Sequence, residues 1–445
     1  MNWLFDLPLE VRLCMVFVLG LLLGTQVNRG IYRLAWKPRP IGPWSPRDEN
    51  APPRQWRDYI PVIGWFTLRR EARIHGTGFW LRPLTIELTL AGGLTLLYWW
   101  EVENGLIPLG VTQLPDPWIH AQFLAHTILI CLMTTASFID VDEKIIPDEI
   151  TVLGALVGLA LAAALPCSRL PDWVSMDPSA PPLNWTVQPE DNLLMIASPQ
   201  PPPNWFAGPR GLALGLFCFV GWWLAILPAL WITRRGLVKA VRYKLAGIRR
   251  VLLPRKGRPY TGWGYLPILL GGAGVIIAVW LFRHSTGVVH WRALLSALLG
   301  MAAGGTIVWG VRIAGTHALR MEAMGFGDVT LVAMIGAFLG WQPCLMLFFI
   351  APFIGVVIAV LNLLLRGEID IWYGPFLCMG ALVVVIFWAS LWGYYGDLFG
   401  AEFLWGERRV PLVPAMVVLM FAMIWAMLIL WRAFKEKVIF RNEPE

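Results

Sequence analysis

Residues 344–365 read CLMLFFIAPFIGVVIAVLNLLL, a run of twenty-two positions without one charged side chain. A helix of that length extends ~33 Å, enough to cross the roughly 30 Å hydrocarbon layer of a bilayer. Inside such a layer a helix satisfies all its backbone groups within its own segment. The same texture recurs near residues 11–31, 84–104, 118–139, 150–166, 211–232, 264–283, 292–314, 328–341, 373–395 and 411–432, with polar loops between. The expected fold is all-α, a polytopic transmembrane helix bundle of about eleven spans. Composition agrees: 57% of the chain is hydrophobic and 15% charged, against about 25% charged in a soluble domain. Residues 1–12 lack a basic region, and no small-residue cleavage site follows, so no cleavable signal peptide is expected.

Charge placement sets an expected topology. The formal charge is +7. Residues 29–82 hold eleven Lys/Arg against four acids, and residues 234–258 hold ten and no acid. By the positive-inside rule both loops are cytoplasmic, whereas residues 101–117 and 167–208 carry mostly acids and face outward. Alternation then puts the N-terminus outside and the C-terminal tail inside. A basic loop flanked by spans sets topology or touches anionic lipid, so nucleic acid is not an expected partner. The segment 171–205 is proline-rich, with a triple proline at 201–203, and reads as an extended external loop. Residues 38–53 have a similar texture on the inner side. The six cysteines are scattered and form no C-x-x-C, which indicates neither a disulfide framework nor a metal site.

Two ionisable clusters fall at membrane boundaries: SFIDVDEKIIPD (137–148) after the third span, and MGFGDVTL (324–331) opening the eighth. A carboxylate at the membrane is costly and marks a functional site by default. Two carboxylates from different helix ends suit peptide hydrolysis if they converge, because they then share one proton. The ionised member takes a proton from water while the protonated member donates to the scissile carbonyl. On this reading Asp140 and Asp328 are the pair, and Gly325 and Gly327 remove bulk beside Asp328. Simpler roles stand beside it. Asp148 reads as a helix N-cap, and Asp328 could be one too. Asp142, Glu143 and Lys144 read as solvated loop charges. Alone, G-x-G-D is a weak signal.

In combination, the two clusters resemble the bipartite signature of the type IV prepilin peptidases. In that family an Asp ends one helix, a Pro-Asp lies eight residues on, and G-x-G-D-x-K-L opens another helix. Further stretches are similar: GTQVNRGIYRL (24–34), IPVI (60–63) with Leu68-Arg69, Arg82-Pro83 with Glu87, and YGPF (373–376). The resemblance implies an aspartic endopeptidase of the bacterial inner membrane. It would cut prepilins or pseudopilins of pilus and secretion systems on the cytoplasmic side, after a glycine. Asp140 and Asp328 inherit the catalytic roles, and Asp148 only a structural one. Prepilin-type substrates and membrane lipids are the implied partners.

Three departures follow from the same alignment of motifs. The family's zinc-binding cysteine pairs have no counterpart in residues 29–82, so no metal and no cofactor is expected. Thr330 stands where the family has Lys, so a cation near the second carboxylate must come from elsewhere. The chain is also long. Its expected divisions are 1–83 (first span and basic loop), 84–166 (spans two to four with Asp140) and 167–208 (external loop). Then come 209–285 (an inserted two-span unit), 286–396 (the second half of the core with G-x-G-D) and 397–445 (an appended span and basic tail). No glycine-rich cofactor loop of the Rossmann kind is present, which speaks against methyl transfer from S-adenosylmethionine. Presenilin-type proteases place Pro-Ala-Leu after G-x-G-D, whereas here Pro228-Ala229-Leu230 precedes it. An ion relay or a catalytically inactive scaffold would also use membrane carboxylates. The paired repeats common in transporters are not evident.

Overall fold

An apolar run that leaves water must pair its backbone internally, and each described run does so as a helix. The computed structural model describes residues 7–37, 39, 41–103, 106, 116–170, 208–226, 266–319, 324–366 and 373–395. Among them there is no strand. The helices of eight residues or more are α1 (Leu9–Leu34), α2 (Leu81–Glu103), α3 (Asp116–Glu143), α4 (Asp148–Ala164), α5 (Pro209–Ile226) and α6 (Leu266–Ser285). They continue with α7 (Val288–Leu319), α8 (Phe326–Leu339), α9 (Trp341–Arg366), α10 (Tyr373–Ile386) and α11 (Trp388–Tyr395). Five stretches are long and apolar enough to cross a membrane: Leu9–Leu34, Trp118–Glu143, Pro209–Ile226, His290–Ala318 and Trp341–Asn362. Three shorter apolar helices accompany them, Leu270–Ser285, Phe326–Leu339 and Tyr373–Ile386. The chain is thus a multi-pass membrane protein. The expected span near 411–432 and the external loop at 171–205 lie outside the described residues.

Helix α8 is the axis of the bundle. Every residue from Asp328 to Leu339 is buried, as befits a helix that is apolar all round. It packs against α3, α4, α7, α9 and α10. Its contact with α7 is backbone on backbone. A Cβ at Gly300 would come within 2.2 Å of the Gly336 carbonyl oxygen, and one at Gly336 within 2.1 Å of the Gly300 oxygen. Small residues allow this approach where lipid supplies no hydrophobic drive. The same device joins α1 to α2, where Gly20 meets Ala91 and Gly24 meets the Glu87 backbone.

Residues 41–80 fold into short helical turns around Trp65, Leu68 and Leu84. Carboxylates fasten them. Fully buried Glu87 accepts from the Val62 N–H (2.6 Å), the Trp65 indole (2.8 Å), the Thr25 hydroxyl (3.1 Å) and the Asn28 amide (3.3 Å). Asp58 accepts from the Gln55 N–H, Thr67 and Arg70, and Glu71 from Arg54. Burial pushes the Asp58 carboxyl up, but these hydrogen bonds and the Arg70 charge outweigh it and hold it below its usual range. The family's zinc has no fitting ligand set here. The described segment has no cysteine, His75 faces Glu71, and both buried acids already serve arginines.

Candidate active site

Asp140 lies in the last turn of α3, and Asp328 in the first turn of α8. Each is 8% exposed. They arrive from distant sequence because three tight contacts converge. A Cβ at Gly327 would fall 2.9 Å from Ile146 Cβ, so α8 begins pressed against the segment that follows α3. A Cβ at Gly374 would fall 2.6 Å from Asp140 Oδ2 and 3.0 Å from Ile146 Cδ1. The starts of α8 and α10 therefore close on the end of α3, with Ile146 wedged between.

Each carboxylate lies beside the backbone of a helix start. Gly374, whose N–H is one of the unpaired donors in the first turn of α10, stands against Asp140. Gly325 stands against Asp328. Gly325 is the N-cap of α8 and Asp328 its third residue. Asp328 is therefore not the N-cap itself. The charges of Asp140 and Arg312 act on Asp328, and Cys378 and Tyr373 of α10 lie within electrostatic range of Asp328. Such a pair is chemically able to hold and pass a proton.

Several expectations change in detail. Neither Gly325 nor Gly327 uses a positive φ. Gly327 makes room for Ile146, while a Cβ at Gly325 would make only an ordinary 3.7 Å contact with Asp328. Asp148 is the first residue of α4, with Pro147 in the cap position, and is exposed beside Glu149. It does not join the pair. Asp142 and Glu143 are not solvated loop charges. Asp142 is clamped by both oxygens to Arg82 (2.8 Å) and lies 3.6 Å from Arg39. Glu143 accepts the N–H groups of Trp36 (2.6 Å) and Lys37 (3.0 Å). These two acids tie the chain after α1, and the start of α2, to the end of α3.

Thr330 is buried and bonds away from the pair, donating to the Gly327 carbonyl (3.0 Å) and meeting the Thr151 hydroxyl at 3.0 Å. The cation near Asp328 is Arg312 of α7. Its Nε donates to the Met324 carbonyl (2.9 Å), and its guanidinium stands 5.7 Å from the Phe326 ring. Sequence reading missed Arg312, Ile146 and the role of Gly374. Only Gly374 carried a signal, as part of YGPF.

Comparison with known proteins agrees with the sequence reading. The type IV leader peptidase family model matches residues 263–360, which take in α6 to α8 and most of α9. A prepilin leader peptidase/N-methyltransferase of Myxococcus xanthus is 31% identical over 150 residues, covering 34% of this chain and 40% of that protein. Proteins of the same name from Aeromonas salmonicida and Pseudomonas aeruginosa are each 29% identical, over 133 and 142 residues. Those matches cover 29% of this chain each, and 42% and 47% of the relatives. The chain thus spans less than half the length of these curated relatives. No solved structure matches. Residues 263–360, with Asp328 among them, match the type IV leader peptidase family, and the chain is similar to the prepilin leader peptidases.

Proposed function

We propose that this chain is a membrane-embedded aspartic endopeptidase that removes the leader of prepilins or pseudopilins after a glycine. The observation that carries the reading is the approach of two nearly buried carboxylates, Asp140 and Asp328, to within electrostatic range of each other, each beside a helix start. Two carboxylates so placed cannot both be ionised cheaply, and titrate as a unit. The ionised one draws a proton from a water, whose oxygen attacks the scissile carbonyl carbon. The protonated one donates to the carbonyl oxygen. Collapse of the tetrahedral adduct breaks the C–N bond, and the amine leaves with a proton from the pair. Arg312 and the two helix starts supply positive potential that keeps one member of the pair charged. Asp148, at the exposed opening of α4, has a structural role.

The proposed setting is the bacterial inner membrane, with about eleven spans and the N-terminus outside. Both basic loops, the C-terminal tail and both aspartates then lie on the cytoplasmic side. The proposal covers the peptidase step alone, with no nucleic-acid partner. Purified protein incubated with a prepilin-type substrate should release one product, and sequencing its new N-terminus reads the site. A single cut directly after the glycine preceding the hydrophobic helix is expected. An uncut substrate, or cuts within that helix, would contradict the proposal.

A further inference from the structure

One face of α1 changes character along its length. Residues 17, 18, 21 and 22 and then 25, 28, 29, 32 and 33 recur at helical spacing, so they form one continuous stripe. The first part walls a wholly apolar groove of about 420 Å³, closed by Ile60 to Ile63 and Leu88. The second part walls a cavity of about 530 Å³, closed by Arg39, residues 41–46 and Trp65. Glu87 fixes the boundary between them, since it holds Val62 of the groove wall and Trp65 of the cavity wall.

The cavity carries unbalanced positive charge. Arg29 and Arg33 make no ion pair among the described residues, and the Arg29 guanidinium stands 5.9 Å from the Trp44 ring. Among the described residues Arg39 pairs only with Asp142, which Arg82 already clamps at 2.8 Å. Glu87, behind the cavity, has both oxygens occupied by donors. Asn28 lines the cavity with its Oδ1 unpaired. Its amide nitrogen is fixed toward the Pro83 carbonyl at 2.9 Å, so a flip would set two oxygens face to face.

We propose that this stripe is a binding site for one anionic phospholipid: the phosphate sits among Arg29, Arg33 and Arg39, and an acyl chain lies along the groove at Phe17, Val18 and Leu22. A soluble phosphate compound would satisfy the arginines but has no use for the groove. Arginine suits a phosphate by its forked donors, and α1 is itself long and apolar enough to span a bilayer. A lipid held here bridges α1 to the segment 60–65. The proposal does not depend on the peptidase reading.

The test uses the full chain in mild detergent, stripped of lipid and examined by native mass spectrometry and thermal melting. Phosphatidylglycerol, phosphatidylcholine and inorganic phosphate are added in separate arms. One phosphatidylglycerol should be retained per chain and should raise Tm, with phosphatidylcholine held far more weakly and phosphate alone without effect. Arg29→Gln with Arg33→Gln should weaken phosphatidylglycerol binding about 30-fold. Val18→Trp, which fills the groove and leaves the arginines intact, should do so as well. Equal retention of both lipids, or undiminished binding in either variant, overturns the proposal. A Tm rise from phosphate alone would assign the cavity to a soluble anion. A raised KM for a prepilin substrate in lipid-free variants, with lipid retention unchanged, would assign the stripe to the substrate. Either result also overturns it.

Discussion

Gly374→Ala adds a single methyl group where the proposed catalytic geometry has no room for it. A Cβ at this position would stand 2.6 Å from Asp140 Oδ2 and 3.3 Å from its Cγ. Nonbonded atoms settle near ~3.5 Å, so the carboxylate must retreat by about 0.9 Å. Ile146 Cδ1, at 3.0 Å from the same point, obstructs an adjustment of the methyl toward it. Gly374 stays with α10, so the carboxylate moves away from the start of that helix. A displacement of about 1 Å in a reacting group costs on the order of 10²-fold in rate. Folding should suffer little. Gly374 is helical without a positive φ, and Ala at such a position gains about 0.4–1 kcal/mol through the unfolded state. The assay is kcat for a prepilin-type substrate, with Tm measured on the same preparation. Loss of cleavage at preserved Tm is the expected result. Undiminished cleavage would refute the claim that the start of α10 positions Asp140.

Tags after Met1 and within residues 171–205 should be reachable from outside intact cells, whereas tags near Lys244 or Glu445 should not. External labelling at Lys244 would reverse the assignment of both aspartates to the cytoplasmic face. Elemental analysis should find less than about one zinc per several chains, because residues 41–80 hold no cysteine and Arg54 and Arg70 occupy their two buried acids, Glu71 and Asp58; stoichiometric zinc bound there would contradict this. Arg312→Gln should lower cleavage by about tenfold or more and move its pH profile, while Arg312→Lys, which keeps the charge, retains most of it. An unchanged profile in Arg312→Gln would show that its charge does not serve Asp328.

The helices were legible because hydrocarbon leaves the backbone no alternative, so a long apolar run such as 344–365 carries its own answer. Asp140 and Asp328 stood out for the same physical reason, as charges where charge is expensive. Partners were harder to read. The spacings Gly20 to Gly24 and Gly300 to Gly304 advertise a close helix contact, but not with which helix. Asp142 looked solvated because its partners, Arg82 and Arg39, lie far away in sequence. Asp148 and Pro147 differ by one position at the opening of α4, the margin at which helix ends are ordinarily ambiguous. Ile146 gave no signal, since an isoleucine after a helix end is ordinary until Gly327 and Gly374 close upon it. The ion-paired loop at 41–80 was hidden for a related reason: a missing cysteine says what is absent, not what replaces it.

The central claim is that Asp140 and Asp328 act as one proton-sharing unit. The measurement is substrate cleavage by Asp140→Asn, Asp328→Asn, the double variant and Asp142→Asn, each checked for folding. Asn keeps the shape and hydrogen-bonding capacity of the carboxylate but cannot shuttle a proton. Each single variant of the pair should abolish cleavage, and the double should be no worse, because losses within a catalytic unit do not add. Asp142→Asn, which loosens only the contacts with Arg82 and Arg39, should retain most of it. The wild-type pH profile should be bell-shaped, with limbs that belong to the pair. Full cleavage by a folded Asp328→Asn protein would contradict the account outright.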